Sequence, residues 1–132
     1  MEYSERYQRG WQTALQVYGV SEQEATVLLN QADALSPDLK KWLVEFAFGD
    51  VYSRPHLDLK QRHLVTLGAL VTLGHTELQL SLQIKNALKL GFSEDEIIET
   101  ILQCVIWVGF PRVVNAMVIA RQVFEKSKVP SP

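Results

Sequence analysis

The sequence predicts an all-α fold, and three observations predict it. Apolar residues recur at steps of three and four along most of the chain, the period of a helix buried on one face. Two Ser-x-x-Glu capping boxes, Ser21/Glu24 and Ser93/Glu96, each open such a run, with hydroxyl and carboxylate satisfying the orphan backbone N–H groups of a first helical turn. Glycines at positions 19, 49, 74 and 91 stand where the runs end, a place that favours a left-handed residue. At 132 residues the chain has the length of one domain with a core of its own. The expectation is a single-domain helical bundle of about six to seven helices spanning residues 1–132.

In chain order, Tyr3–Tyr18 carries Tyr7, Trp11, Leu15 and Tyr18 on one face, and Gly19 ends it. Ser21 and Glu24 open a second helix that reaches the region of Asn30 to Ala34. Ser36 caps a third, with Pro37 at its first position, where a missing N–H costs nothing. Over Asp38–Phe48 this helix sets Leu39, Trp42, Leu43 and Phe46 on one face, and Gly49 closes it. Asp50–His56 is a connector, because Pro55 biases Arg54 away from helical angles. Asp58, with Gln61 three residues on, caps a fourth helix that runs to Leu73 and stops at Gly74. That helix is apolar nearly all round after Arg62, so it is expected at the centre of the fold or of an assembly. Gly68 inside it costs ~1 kcal/mol relative to Ala, which predicts a second backbone close by.

Thr76–Leu90 carries two periods. Leu78, Leu80, Leu82 and Ile84 alternate like a strand, but Ala87 and Leu88 break the alternation and no other segment offers a strand partner. A lone strand leaves its backbone groups unpaired, so the segment is read as a helix. Leu80, Ile84, Ala87 and Leu88 then form its core stripe, and Thr76, Gln79, Gln83 and Asn86 a polar edge. Helices over Glu94–Val108 and Arg112–Lys126 complete the chain, divided by Gly109-Phe110-Pro111. The tail, 127–132, is expected to be unordered.

Composition excludes several classes. Thirteen basic against 15 acidic residues give a formal charge of −2, and no Lys/Arg cluster offers a nucleic-acid footprint. No stretch reaches the ~18 apolar residues of a membrane span. The opening MEYSERYQRGWQ has no signal-peptide apolar run, so a cytoplasmic location is expected. Cys104 is the only cysteine, which rules out an intrachain disulfide and is read as a small buried hydrophobe. The three histidines do not form a helix-face H-x-x-x-H pattern, so no metal site is expected.

One ordered set of residues is more specific. Ser53-Arg54-Pro55 and Leu57-Asp58 lead to Arg62; Glu77-Leu78 and Ala87-Leu88 precede Gly91; Ser93–Glu99 reads SEDEIIE; Trp107–Pro111 is followed by Asn115-Ala116. Strongest over 46–116, the set resembles the carboxymuconolactone decarboxylase family, whose superfamily includes the alkylhydroperoxidase D-like proteins. The resemblance implies an all-helical bundle of that type, and homo-oligomers, commonly trimers or hexamers, with pockets at or near subunit contacts. It also implies a small carboxylate or lactone substrate and no cofactor.

The chain also departs from the pattern. In the peroxidase branch a CxxCxxxH motif precedes the glycine that matches Gly91. Counting back puts Gln83 at the His, Gln79 and Thr76 at the two Cys, and Leu64 at an acidic position of the preceding helix. Thiol peroxidase chemistry of the peroxiredoxin type needs a nucleophilic and a resolving thiol, so these substitutions speak against it. In the decarboxylase branch the position of Gln83 is commonly His. Glutamine holds a hydrogen bond but exchanges no proton near neutral pH.

The implied reaction removes CO₂ from the γ carbon of an unsaturated lactone, and the lactone carbonyl takes up the electrons as an extended enolate that is then protonated. That chemistry asks for cations, enolate donors and a general acid. Arg54 and Arg62 are the candidate carboxylate clamps, since guanidinium binds carboxylate bidentately. His63 and His75 are the candidate acids, with His56 a weaker third. By homologous position the resemblance also implies Gln83 as a catalytic, pocket-lining candidate and Gln79 and Thr76 as substrate-binding candidates. Glu77, in a first helical turn, has a sufficient dipole role, and Trp107 is read as core or interface. Three functions follow: a decarboxylase of aromatic-compound catabolism, a non-catalytic or repurposed ligand-binding homo-oligomer on the same scaffold, or a peroxidase.

Overall fold

A computed structural model describes residues 3–128, and the backbone alone of Leu28, Leu29, Gln31, Ala32 and Asp33. The protein is all-α, and the described residues contain no strand. Its elements are α1 (Glu5–Tyr18), α2 (Glu22–Asp33), α3 (Pro37–Trp42) running into a π-helical segment (Leu43–Val51), α4 (Leu59–Leu73), α5 (Glu77–Lys89), α6 (Glu94–Gln103), α7 (Val105–Val108) and α8 (Phe110–Ser127). No helix among the described residues is long and apolar enough to cross a membrane. The chain groups into two compact units, divided between Leu59 and Lys60.

In the first unit α1 starts at a cap that sequence reasoning missed, the Ser4 hydroxyl accepting the Tyr7 N–H at 3.0 Å. Tyr7, Gly10, Ala14, Val17 and Tyr18 are its buried residues, and Gly19 ends it with φ 60° as expected. The Ser21/Glu24 capping box forms as expected. Pro37 opens α3, although the Ser36 side chain makes no cap bond.

The expected Asp38–Phe48 helix changes character at Leu43. The expected face is not the buried one: Leu39, Trp42 and Phe46 are each more than half exposed. Val44, Glu45, Phe48 and Gly49 are buried instead. Gly49 therefore lies inside the segment rather than closing it, and the connector begins at Tyr52. The segment packs backbone to backbone against α1. A Cβ on Gly10 would run into the Val44 carbonyl, and one on Gly49 would stand 2.7 Å from the Arg6 carbonyl oxygen. Arg6 also grips Asp50 through Nε and Nη2, at 3.0 and 2.6 Å. Its guanidinium, by hydrogen bond first and by charge second, holds the Asp50 carboxyl below the usual range.

In the second unit α4 buries one face only: His63, Leu67 and Val71. Val65 and Leu73 are about two-thirds exposed, at 65% and 66%, so the all-round apolar helix is not enclosed within this chain. The expected close backbone at Gly68 is also absent, since a Cβ there meets only Cys104 Sγ, at 4.0 Å. α5 is the helix expected, with Leu80, Ile84 and Ala87 buried, but Asn86 is buried too rather than on an open polar edge. Gly91 (φ 97°) and the Phe92 N–H donating to the Ala87 carbonyl at 3.0 Å end it, and the Ser93/Glu96 box starts α6. The single helix expected over Glu94–Val108 is interrupted at Cys104. Ile84, Ile97 and Ile101 are fully buried with Leu67 and with Ala116 and Ala120 of α8 in one core cluster. Helix α8 continues through Ser127, two residues into the tail expected to be unordered counting its cap at Lys128, and 129–132 lie outside the described residues.

Candidate functional site

Helix α4 ends at Gly74, and two successive left-handed residues, Gly74 (φ 70°) and His75 (φ 54°), turn the chain into α5. A non-glycine residue held there carries on the order of 1–3 kcal/mol of strain, a cost that accumulates at functional sites. The positive φ favours glycine at position 74, and a Cβ there would displace the Arg112 guanidinium that lies on it. Arg112, in the first turn of α8, donates from Nη1 to the Leu73 carbonyl at 3.1 Å. The Thr76 hydroxyl donates to the Leu70 carbonyl at 2.9 Å. Together these contacts shape a cavity of about 70 Å³ whose wall carries His75, Thr76, Glu77, Arg112 and Asn115 over an apolar floor that includes Leu70 and Leu80. A guanidinium, an imidazole, a hydroxyl and an amide around an apolar floor suit a carboxylate that must be held while a proton moves.

A second polar cluster lies where α4 faces α5. His63 is fully buried, and its Nε2 stands 2.7 Å from the Gln83 carbonyl oxygen. A carbonyl only accepts, so Nε2 carries the hydrogen, and Nδ1 is left with a lone pair and no partner. Burial pushes the His63 pKa below the ordinary imidazole value, outweighing the opposing pull of the Gln83 carbonyl. Phe92 stacks on the ring with centroids 6.3 Å apart. The Gln83 side chain accepts from Asn86 Nδ2 at 3.4 Å.

The sequence profile of the Carboxymuconolactone decarboxylase family matches residues 37–122. The chain belongs to that family. It is 31% identical over 125 residues to 4-carboxymuconolactone decarboxylase of Acinetobacter baylyi, covering 95% of this chain and 91% of that protein. It is 36% identical over 80 residues to nitrosuccinic acid decarboxylase of Metarhizium robertsii, covering 61% of this chain and 55% of that protein. An uncharacterized 15.0 kDa protein of Paracoccus denitrificans is 36% identical over 93 residues, 70% of this chain and 69% of that one.

In this carboxymuconolactone decarboxylase family member the residues singled out in the sequence fall into separate places. His75 and Thr76 line the cavity. His63 and Gln83 come together elsewhere, and through the Gln83 backbone rather than its amide. Gln79 is exposed on α5, Arg62 is half-buried next to His63, and Arg54 and His56 are exposed in the first unit's connector. The cavity's arginine is Arg112, which sequence reasoning did not weigh, and Asn115 entered only as a mark of resemblance. A signal existed at Gly74, a glycine beside the histidine His75, but nothing local ties it to Arg112. Trp107, expected in core or interface, is 85% exposed in the chain. Cys104 is half-buried with Sγ 3.5 Å from the Thr100 carbonyl, and burial pushes its thiol pKa up. No group of three His, Cys, Asp or Glu that could hold a metal occurs among the described residues.

Proposed function

We propose that this chain is a cofactor-independent decarboxylase of a small carboxylated lactone or related acid, active as one domain in a cytoplasmic homo-oligomer and serving aromatic-compound catabolism. The observation that carries it is Arg112, held over Gly74 at a cavity shared with His75 and Thr76. Two of the similar proteins are named as decarboxylases of different acids, so the reaction class carries over better than the substrate. Arg112 would hold a substrate carboxylate or the developing enolate oxygen, where a positioned donor acts most strongly in the transition state. As CO₂ leaves, the bonding pair passes into the conjugated carbonyl, and His75 returns a proton to carbon. His63 suits that step less well, with one nitrogen committed to a carbonyl and the other buried.

At about 70 Å³ the cavity is well below the several hundred Å³ usual for small-molecule sites. A facing copy, in a trimer or hexamer, would supply the missing wall. The exposed stripe Phe110, Val114 and Val118, with Ile106 and Trp107 beside it in sequence, is the kind of surface such contacts cover.

The test is loss of 4-carboxymuconolactone absorbance with the purified protein, beside Arg112→Gln and His75→Asn variants whose helicity is checked. Turnover should fall on the order of 100-fold in either variant. Unchanged turnover in both would remove this site from the reaction. A parent that turns over neither this lactone nor other small carboxylated acids would favour the repurposed ligand-binding oligomer, a reading that Gln83 in place of the family histidine supports. Peroxidase activity is the weakest alternative, because Cys104 is a lone, half-buried thiol; thiol-dependent peroxide turnover lost in Cys104→Ser would revive it.

A further inference from the structure

We propose that the second unit carries a further small-molecule site, for a phosphate monoester with a short aliphatic body. A cleft of about 420 Å³ is lined by α5 and the last turns of α8, a volume within the range of small-molecule sites. It shares no lining residue with the cavity of Arg112 and His75. Helix α5 contributes Leu78, Ser81, Leu82 and Lys85, which recur at steps of three and four and so form one face of the helix. The buried stripe Leu80, Ile84 and Ala87 does not use that face, and Leu78 on it is 75% exposed. From α8 come Lys126 and Val123, and Val123 belongs to the core cluster, so the floor of the cleft is the core itself.

Two cations in this lining have no partner. No acid stands three or four residues from Lys85 or Lys126, the spacing at which charges on a helix pair. Neither lysine makes an ion pair or hydrogen bond among the described residues, and the acids nearby are taken, Glu125 by Arg121 and Glu94 by Lys128. Lys126 sits in the last turn of α8, where the helix dipole favours a cation. Lys85 lies before the last turn of α5 and has no such role. The Ser81 hydroxyl is uncommitted as well, whereas the Ser127 hydroxyl donates to the Phe124 carbonyl at 2.8 Å and can only accept. Lysines meet an anion as point charges rather than as bidentate forks, so two of them with one hydroxyl donor suit a tetrahedral dianion better than a flat carboxylate. A phosphate monoester carries a charge of about −1.5 to −2 near pH 7 and three acceptor oxygens, one for each of these groups. Leu78, Leu82 and Val123 offer aliphatic surface and no aromatic face, which fits a short alkyl body.

Calorimetric titration of the full chain with n-hexyl phosphate tests it, and saturable binding is expected. Lys85→Gln and Lys126→Gln should each weaken that binding about tenfold, with helicity checked by circular dichroism. Arg112→Gln should leave it within about twofold, separating this site from the cavity at Gly74. Inorganic phosphate lacks the alkyl body and n-hexanoate lacks the tetrahedral head, so each should bind at least about tenfold more weakly than the ester. Sedimentation with phosphatidylcholine vesicles containing phosphatidic acid separates a free ester from a lipid head group, and the chain should stay in the supernatant. No saturable heat, an unchanged affinity in either lysine variant, inorganic phosphate or hexanoate binding as tightly as the ester, loss of binding in Arg112→Gln, or binding to the vesicles alone would each overturn the proposal.

Discussion

Each unit has a glycine inside a long helix, and the two do opposite things. Gly10 of α1 sits where a Cβ would strike the Val44 carbonyl, whereas Gly68 of α4 has nothing nearer its missing Cβ than Cys104 Sγ at 4.0 Å. In the sequence both interrupt a helical run, and sequence reasoning placed the close backbone at Gly68. The difference teaches that an interior glycine marks only a tolerated loss of side chain, and the partner segment decides whether the loss is used. For Gly10 the partner is the π-helical segment, whose Val44 carbonyl and Gly49 N–H lie against it. Gly10→Ala should therefore be the most damaging change, costing about 3 kcal/mol or more, since backbone cannot move aside as a flexible side chain can. Gly49→Ala should follow closely, with its Cβ 2.7 Å from the Arg6 carbonyl oxygen. Urea unfolding measures both, and a cost for Gly10→Ala under about 1 kcal/mol would refute this packing.

The two units also handle a buried ionisable group differently. Glu45 keeps its surroundings charged: Arg6 Nη1 and the Ser4 hydroxyl donate to Oε2, each at 3.4 Å, and Lys41 Nζ is 3.9 Å from Oε1. His63 is instead held neutral by burial. Because its folded pKa is lowered, the unfolded chain takes up the proton first as pH falls. The stability tied to neutral His63 is thus full above the unfolded pKa of about 6.5 and is lost progressively below it, at up to ~1.4 kcal/mol per pH unit for one proton. His63→Phe should flatten that part of the stability–pH curve between pH 7.5 and 5.5, and an unaltered slope would mean another group sets it. Glu45→Gln should cost less, about 1 kcal/mol, because Arg6 keeps Asp50. Raising the salt concentration should shrink the difference between parent and Glu45→Gln.

Much of the fold was legible because its signals are local. The Ser21/Glu24 and Ser93/Glu96 boxes span three residues, and Gly19, Gly74 and Gly91 end helices by their own backbone angles. The π-helical segment was not legible, because it packs on α1, some forty residues away in sequence as the Arg6–Asp50 bond spans it. Half of the candidate site was found in the same way: His75 and Thr76 stand at a helix start that the sequence announces. Arg112 escaped notice because its hydrogen bond to Leu73 crosses 39 residues. Arg54 and Arg62 were chosen for residue type, and type alone does not bring a guanidinium to a cavity.

The smallest expected effect returns to Gly68. In an α-helix Gly→Ala is worth up to about 1 kcal/mol in favour of Ala, and the added methyl would make an ordinary van der Waals contact with Cys104 Sγ. Gly68→Ala should therefore leave the chain as stable or slightly more so, against the loss expected at Gly10. A loss above about 1 kcal/mol, or a smaller assembly in size-exclusion chromatography, would mean that the open side of α4 is covered by a second copy. The close backbone read from the sequence would then exist between subunits rather than within one, and the exposed Val65 and Leu73 of the same helix would be the next positions to substitute.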